Sequence, residues 1–242
     1  MNIDLFTYTD VGARSLNEDS YGVQNGDKRC IAVLCDGLGG HNCGEVASQA
    51  AVKSIMDGIA RIEQLQPEKI QDVLKQVNEA IVQQQTANPD QNGMRTTAVG
   101  CIVEGRELTY FNSGDSRFYY FSNGAVSAMS KDHSVSQMSI ELGEMTFDEI
   151  RFDSDRNKLL KVLGDPTANE VGTVYSPIPY KKGDAFLLCS DGFWEYILEE
   201  EMEIDLSKAH TAKEWVEFMI VRLLLKFSAS NDNFTVIGGI FN

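Results

Sequence analysis

Basic side chains and long apolar runs are both scarce in this sequence of 242 residues. Only 21 lysines and arginines accompany 36 acidic residues, a formal net charge of −15, which argues against binding to a nucleic-acid backbone or an anionic membrane surface. No apolar stretch reaches the roughly 18 residues needed to cross a bilayer; the richest, residues 215–227, is interrupted by Glu217 and Arg222. The amino terminus lacks the basic start and apolar core of a signal peptide. We therefore expect a cytoplasmic protein with no nucleic-acid or membrane partner.

Metal-binding cysteine and histidine patterns are also lacking. The five cysteines show no CxxC spacing and several lie in apolar strand-like runs, so we interpret them as small buried hydrophobic residues in a reducing compartment. The three histidines are not paired, which argues against a zinc site. No low-complexity segment, charge block or fixed-period repeat is present, and a hydrophobic content of 43% suffices for a substantial core. We expect a single domain over residues 1–242.

Short strand-like runs and helical periodicities occupy separate parts of the chain. Apolar spacing predicts helices at 45–64, 67–85 and 212–227, the last with Thr211 and Glu214 in capping-box register. Glu104-Gly105 and Asn123-Gly124 indicate tight hairpin turns and hence antiparallel pairing. Strands are predicted at 3–9, 29–35, 96–103, 107–112, 117–121, 185–189 and 234–241. This segregation favours an α+β layered fold over a doubly wound parallel sheet.

Two apolar runs end alike, in VLC before Asp36-Gly37 and in FLLCS before Asp191-Gly192. A strand buried on both faces carries its terminal carboxylate into an interior cleft, where an unpaired charge would be costly. A bound cation would offset that cost. Further acids at strand ends or in turns are Glu18, Asp19, Asp115 and Asp232. An oxygen-only donor set suits Mg²⁺ or Mn²⁺, although Asp-Gly is also a common turn pair and a single match decides nothing.

Three competing motifs do not match. Residues 37–44 lack the Lys and Ser/Thr of a phosphate-binding P-loop, and their glycines miss the GxGxxG spacing. Residues 153–164 begin like a calcium loop, but Lys158 stands where glycine is required and Gly164 where glutamate is required. No GxSxG elbow accompanies the histidines.

Over residues 8–240, a series of motifs resembles those of the metal-dependent protein phosphatases, the type 2C serine/threonine family, in their bacterial single-domain form. They are, in order, GARSLNEDSYG, VLCDGLGGHNCGEVAS, RTTAVG, NSGDSR, SKDHS, RNKLLKVLGD, LLCSDGFW and NDNFTVI. The resemblance implies a central sandwich of two antiparallel β-sheets flanked by α-helices on both sides, in four layers (αββα), and a flap subdomain at about 135–163.

The resemblance also implies an activity. A hydroxide between two divalent cations, Mg²⁺ or Mn²⁺, would hydrolyse phosphoserine and phosphothreonine on proteins, opposing a bacterial serine/threonine kinase. The expected partners are phosphoprotein substrates and that cognate kinase, and the expected state is a monomer. Two alternatives stay open: a catalytically silent phosphatase-like adaptor, and a phosphatase of small molecules or phosphotyrosine.

The family motifs assign roles to particular residues. The resemblance makes Asp36 the bridge between the two cations, the Gly37 carbonyl a ligand of the first, and Glu18, directly or through water, a contact of the second. The remaining assignments are Asp191 and Asp232 as ligands of the second cation, Asp115 as a ligand of a third, weaker one, and Asp19 and Asn233 as supporting residues beside the ligands.

Arg14 and His41 are predicted to act on the substrate. Arg14 lies four residues before Glu18, as the phosphate-binding arginine does in the family, and a guanidinium pairs with phosphate oxygens two at a time. His41 is a candidate general acid, because histidine can carry a proton near pH 7. In eukaryotic relatives the comparable histidine directly follows the Asp-Gly pair, where this chain has Leu38, so a structural role for His41 is the alternative.

Two residues outside these sets carry separate expectations. We interpret His133 as structural. Lys161 stands where relatives usually carry arginine, which puts an arginine-dependent contact from this stretch in doubt.

Overall fold

The computed structural model describes residues 2–39, 43–227 and 231–242. Its strands are β1 (Ile3–Asp10), β2 (Asp19–Asn25), β3 (Arg29–Leu38), β4 (Arg95–Thr96), β5 (Ala98–Glu104), β6 (Glu107–Ser113), β7 (Arg117–Ser122), β8 (Ala125–Met129), β9 (Thr173–Val174), β10 (Ile178–Pro179), β11 (Ala185–Cys189) and β12 (Phe234–Phe241). Its α-helices are α1 (Cys43–Ala60), α2 (Pro67–Ala87), α3 (Val135–Glu141), α4 (Asp191–Trp194), α5 (Glu199–Lys208) and α6 (Ala212–Leu225). Short 3₁₀ helices occupy Pro89–Gln91 and Phe147–Phe152.

The strands form two antiparallel sheets that face each other. The first has the order β1-β12-β11-β7-β8, and the second has the order β10-β6-β5-β3-β2 with β4 and β9 paired at its side. Apolar side chains from both sheets fill the space between them, including Leu34, Val99, Phe118, Leu188 and Ile237. Helices α1 and α2 cover the outer face of the second sheet, and α4, α5 and α6 cover that of the first. The predicted α+β sandwich with four layers is therefore confirmed.

Local signals in the sequence determine several element ends. Helix α2 begins with Pro67, whose fixed φ and missing N–H suit a first helical turn. The Thr211 hydroxyl caps α6 by accepting a hydrogen bond from the backbone N–H of Glu214 at 3.1 Å. Asn123 and Gly124, between β7 and β8, have φ values of 55° and 81°, as a two-residue hairpin turn requires. The predicted cap and hairpin are confirmed.

Two predicted strand boundaries are wrong. The strand expected at 29–35 continues to Leu38, so Asp36 lies within β3 and not at its end. The single strand expected at 96–103 is divided at Thr97 into β4 and β5. Thr97 bonds to Asp36 with both its backbone and its side chain: its N–H donates to the Asp36 carbonyl at 2.8 Å, and its Oγ1 accepts from the Asp36 N–H at 2.9 Å. The change of partner from β5 to β4 therefore occurs beside this aspartate.

Four of the strands were missed, and two helices are shorter than predicted. Strand β2 reads DSYGVQN and most of its side chains are partly or fully exposed, so it shows little apolar alternation. It forms because β3 pairs with it along its whole length. Strand β8 and the two-residue strands β9 and β10 were also missed. Helices α1 and α6 end before the predicted residues 64 and 227.

All five cysteines carry reduced, buried thiols, as the sequence predicted. Burial raises the pKa of Cys30 to about 12, which leaves its thiol protonated at neutral pH and chemically inert. In the described part of the chain, no helix combines the length and apolarity needed to span a membrane.

Candidate active site

Three aspartates of the first sheet meet at one edge of the sandwich. Strand β11 ends at Cys189, and Asp191 is the first residue of α4; Asp232 lies just before β12, which begins at Phe234. Because β11 and β12 are antiparallel neighbours, the end of one and the beginning of the other lie at the same edge. Strand β7 pairs with β11 on its other side, and Asp115 lies in the turn that precedes β7.

The second sheet brings further acids to this edge. Strand β2 begins at Asp19, which its register places opposite Asp36 of β3. The preceding residue, Glu18, accepts hydrogen bonds from the backbone N–H groups of Gly44 and Glu45 at the beginning of α1, where the helix dipole favours a negative group.

These side chains line a cleft of about 180 Å³. Its described lining residues are Arg14, Glu18, Asp36, Gly37, Leu38, Gly39, Asp115, Asn157, Leu159, Asp191, Asp232 and Asn233. Asp19 lies beside the cleft without lining it, and His41 falls outside the described residues. Every other residue that the sequence analysis predicted for the site is in this lining, including an arginine and an aspartate 218 positions apart.

Burial and mutual repulsion raise the pKa of the carboxyl groups. The pKa of Asp36 lies well above its usual range, mainly through loss of solvation and then through the charges of Asp19 and Asp191. The pKa of Asp191 is also well raised, by burial first and by Asp115 second. Burial raises the pKa of Asp115 to about 7 and that of Asp19 to about 6. A bound cation would stabilise such a crowded set in its ionised form.

The donor chemistry fits hard divalent cations. The side-chain donors are carboxylate oxygens, and backbone carbonyls such as that of Gly37 can add to them, which suits Mg²⁺ and Mn²⁺. Asp19 Oδ2 accepts a hydrogen bond from Ser190 Oγ at 2.8 Å, whereas its buried Oδ1 accepts none from the described residues. A buried oxygen without a donor is costly, and a cation or its hydration shell in the cleft would satisfy it.

The carboxylates are not drawn together into a ready coordination sphere. Within residues 2–39, 43–227 and 231–242, no three His, Cys, Asp or Glu side chains form a group that would hold a metal ion as it stands. Asp232 Oδ2 instead accepts from Arg14 Nη2 at 2.7 Å, and Asp191 Oδ1 accepts from the Gly192 N–H at 2.6 Å. These two carboxylates are therefore paired with groups of the chain itself.

The glycines of both Asp-Gly pairs are needed for close backbone approach. A β-carbon at Gly37 would lie 2.2 Å from the Gly44 carbonyl oxygen and 2.8 Å from that of Glu18. A β-carbon at Gly192 would lie 2.1 Å from the Asn233 carbonyl oxygen. Gly37 lies within β3 and Gly192 within α4, so neither Asp-Gly pair forms a hairpin turn. Each glycine lets a neighbouring segment pack against the site.

Asn233 ties the loop of Glu18 to the beginning of β12. Its Oδ1 accepts from the Glu18 N–H at 2.8 Å, and its Nδ2 donates to the carbonyls of Val11 and Leu16, both at 2.9 Å. Arg14 lies on the same loop with an exposed side chain. This loop therefore holds both a candidate ligand and the candidate phosphate-binding arginine.

His133 lies outside the cleft. Its Nε2 is 2.9 Å from Thr173 Oγ1. Burial, and then the positive charge of Lys161, lower the pKa of His133 to about 4, so the imidazole is neutral at pH 7. The ammonium of Lys161, in turn, pairs with Glu170 at 2.7 Å.

Sequence reasoning missed four of the described cleft residues: Leu38 and Gly39, which directly follow Gly37, and Asn157 and Leu159. The last two come from the segment predicted as a flap. The neighbouring Arg156 holds this part of the segment in place: its Nε and Nη2 donate to the Glu195 carboxylate at 2.5 and 3.3 Å. No local pattern marks either residue, because their place in the cleft depends on this long-range pair.

Comparison with known proteins agrees with this architecture. The protein phosphatase 2C family model matches residues 10–226. The serine/threonine phosphatase Stp of Listeria innocua is 34% identical over 230 residues, which cover 93% of this chain and 90% of the relative. The serine/threonine phosphatase PstP of Mycobacterium tuberculosis has a crystal structure with a TM-score of 0.85 and 28% identity, covering 99% of both chains. Another structure holds the PstP catalytic domain with two manganese ions, at a TM-score of 0.83 and 28% identity over 98% of this chain and 97% of that one.

The protein consists of two antiparallel sheets between layers of helices, with an acid-lined cleft at one edge of the sandwich. This arrangement defines a class of protein whose cleft can bind hard divalent cations. The chain belongs to the protein phosphatase 2C family. The resemblance seen in the ordered motifs is thereby confirmed.

Proposed function

We propose that this protein is a metal-dependent serine/threonine protein phosphatase, which hydrolyses phosphoserine and phosphothreonine on protein substrates. The observation that carries this function is the cleft itself, in which buried carboxylates from both sheets face an exposed guanidinium. An acidic protein that binds a phosphate dianion needs local positive charge. Cations held by the acids, together with Arg14, provide it.

We assign the cations to the residues at the floor of the cleft. Asp36 would be the shared ligand, the Gly37 carbonyl and Glu18 would hold a cation on its side of the cleft, and Asp191 and Asp232 would do so from the first sheet. Mg²⁺ or Mn²⁺ held there would supply hydroxide at neutral pH and offset the phosphoryl charge. A third, weaker cation would use Asp115. The two manganese ions bound by the similar PstP domain support this assignment.

The chain's own residues bind and orient the substrate. Arg14 binds the phosphate oxygens after its guanidinium leaves the Asp232 carboxylate. Breaking this ion pair costs little free energy, because both side chains are largely exposed. Leu159 and Asn157 form the cleft wall on the flap side. His41 is our candidate for the group that protonates the departing seryl or threonyl oxygen, a task for a side chain that holds a proton near pH 7.

We further infer a biological setting. Residues 1–242 form one catalytic domain with a flap at about 135–163, and the protein acts as a cytoplasmic monomer that opposes a serine/threonine kinase. The reduced thiols support a reducing compartment. The names of the bacterial relatives support phosphoprotein substrates.

The deciding experiment is phosphate release from a phosphothreonine peptide. We expect turnover with Mn²⁺, its loss in excess EDTA, and its return on addition of Mn²⁺ or Mg²⁺, because the carboxylates alone provide neither a hydroxide nucleophile at neutral pH nor positive charge for the phosphoryl oxygens. Phosphotyrosine peptides and p-nitrophenyl phosphate are assayed in parallel. No turnover with any phosphopeptide or metal would favour a silent adaptor, and preferential cleavage of phosphotyrosine or the small ester would overturn the proposed substrate class.

Replacement of Arg14 by alanine is expected to raise KM for the phosphopeptide about tenfold to a hundredfold, with a smaller change in kcat. A charge-assisted hydrogen bond to phosphate is worth roughly 1.5–3 kcal/mol, and a contact made equally in the ground and transition states appears in KM. Arg14→Lys should recover part of the affinity, since one point charge replaces a two-pronged donor. Steady-state kinetics measure both variants.

The matched control for Arg14 is Arg106→Ala, which removes an exposed arginine from the turn between β5 and β6 and should leave KM unchanged. The unfolding free energy of Arg14→Ala should change by less than about 1 kcal/mol. An unchanged KM in Arg14→Ala would remove this arginine from the substrate-binding role.

A further inference from the structure

A buried cluster behind the cleft links two candidate cation ligands to the flap. We call it the Trp194 cluster; it consists of Trp194, Arg117, Asp132, Arg151 and Glu199. Trp194 is 1% exposed, and the side chains of Arg117 and Asp132 are 0% and 2% exposed. None of these side chains lines the cleft. Groups of this charge, buried at this depth, call for a role beyond filling space.

Trp194 connects the segments that carry Asp191 and Asp115. It is the last residue of α4, the four-residue helix that begins with Asp191. Its indole Nε1 donates a hydrogen bond to the backbone carbonyl of Asp115 at 2.9 Å. One rigid side chain therefore reaches from helix α4, which begins with Asp191, to the turn that carries Asp115. The side chains of both aspartates line the cleft.

Arg117 holds the indole ring in place. Its guanidinium carbon lies 3.4 Å from the centre of the Trp194 ring, a stacked cation–π contact. Its Nε and Nη2 donate to the two carboxylate oxygens of Asp132 at 2.9 and 2.7 Å. A bidentate pair of this kind fixes the plane of the guanidinium, and the stacked indole is fixed with it. Arg117, the first residue of β7, is also only two residues from Asp115, and Trp194 ends the helix that Asp191 begins, so both partners of the stack lie close in sequence to the two aspartates.

Arg151 connects the backbone of Trp194 to the flap. It lies in the 3₁₀ helix Phe147–Phe152, and its Nε donates to the backbone carbonyl of Trp194 at 3.1 Å. Its Nη2 donates to both carboxylate oxygens of Glu199 at 2.9 and 2.8 Å. A displacement of the flap segment would therefore act on Trp194, the residue that connects the segments of the two aspartates.

We propose that Trp194 is a positioning residue that sets the distance between Asp115 and Asp191 and thereby the affinity of the cation that Asp115 holds. The proposal rests on the proposed function, since it concerns a cation of that site. On this proposal, the affinity of the weaker cation depends on the Trp194 cluster. The affinity of the cations on Asp36 depends on residues of the second sheet as well. Removal of the indole N–H leaves the Asp115 carbonyl without this donor and frees the turn to shift.

The first test compares the two tryptophans of the chain by calorimetry with Mg²⁺. Trp194→Phe keeps an aromatic ring but loses the N–H donor; Trp215→Phe is the matched control, because Trp215 is 0% exposed and its Nε1 also donates to a backbone carbonyl, that of Met202, at 2.9 Å. We expect the weakest Mg²⁺ site to lose affinity about tenfold in Trp194→Phe, equivalent to about 1.4 kcal/mol. The tighter sites should be unchanged, and Trp215→Phe should bind like the wild type.

Three results of this titration would overturn the positioning role. They are a wild type without a weaker site, a Trp194→Phe variant that binds like Trp215→Phe, and an equal loss of affinity at all sites. The peptide assay distinguishes failure of this inference from failure of the proposed function. If the wild type hydrolyses the peptide but Trp194→Phe binds Mg²⁺ like the wild type, only the positioning role is rejected. If the wild type does not hydrolyse the peptide, the proposed function is rejected.

A second test does not require the Trp194→Phe variant to fold. In Trp215→Phe, tryptophan emission comes from Trp194 alone, since the chain has two tryptophans. Titration with Mg²⁺, which does not itself quench fluorescence, should change this emission over the concentration range of the weakest site. The change should be lost when Asp115→Asn is added. An emission that ignores Mg²⁺, or that responds equally without the Asp115 carboxylate, would contradict the proposal.

Discussion

Replacement of Asp36 by asparagine is expected to abolish hydrolysis and, at the same time, to stabilise the cation-free protein. Loss of a shared cation ligand should lower kcat/KM at least about a thousandfold, or about 4 kcal/mol of transition-state stabilisation. The same carboxylate is half-buried in the cleft, and loss of solvation, followed by the charges of Asp19, Asp191, Asp115 and Asp232, raises its pKa. Its removal should therefore increase the free energy of unfolding in EDTA by about 1 kcal/mol at pH 8.

The sign of the pH dependence makes this prediction specific. Because the pKa of Asp36 is raised in the folded protein, the unfolded chain releases this proton at lower pH, and folded stability falls as the pH rises above about 4. Asparagine does not titrate. Urea titrations in EDTA should therefore show a stability gap between Asp36→Asn and wild type that is widest at alkaline pH and closes near pH 4.

Asp57→Asn is the matched control, since Asp57 is an exposed residue of α1; it should change neither activity nor the pH dependence of stability. Wild-type activity in Asp36→Asn would remove this residue from the metal site. A destabilised Asp36→Asn in EDTA would show that the carboxylate contributes to folding without a cation, contrary to the repulsion described above.

The largest expected loss of stability follows from Asp132→Ala. Asp132 holds the fully buried Arg117 through two hydrogen bonds of 2.9 and 2.7 Å. Removal of the aspartate leaves a buried guanidinium whose nearest other carboxylate oxygen, on Glu199, is 3.9 Å away. Removal of one partner of a buried ion pair typically lowers the free energy of unfolding by about 3–5 kcal/mol, because the remaining buried charge is not compensated. Urea denaturation at pH 7 measures the loss.

Asp155→Ala is the control for an ion pair at the surface. Its partner Lys158 lies at 2.8 Å, but the two side chains are 40% and 64% exposed, so the variant should lose less than about 0.5 kcal/mol. The double variant Arg117→Met/Asp132→Leu should recover much of the stability that Asp132→Ala loses, since neither charge of this pair is then buried. Equal losses in Asp132→Ala and Asp155→Ala would show that burial of this pair carries no energetic weight.

Several elements could be read from short stretches of the sequence. The strands at 185–189 and 234–241 and the beginnings of α2 and α6 were predicted correctly. Each depends on burial periodicity, a proline or a cap, and these signals act between residues a few positions apart. Strand β2 carries no such signal and required its partner β3.

For the candidate site, residue types and the ordered motifs sufficed to predict the acids, the oxygen-donor chemistry and the family. The folded chain was needed to show that these acids share one cleft, that Gly37 and Gly192 serve close backbone approach, that Asn157 and Leu159 form a wall, and that Trp194 joins the segments of Asp115 and Asp191. This division follows from the range of the interactions. Residue type and local spacing set the chemistry that a side chain offers, whereas strand pairing and buried long-range contacts decide which side chains meet.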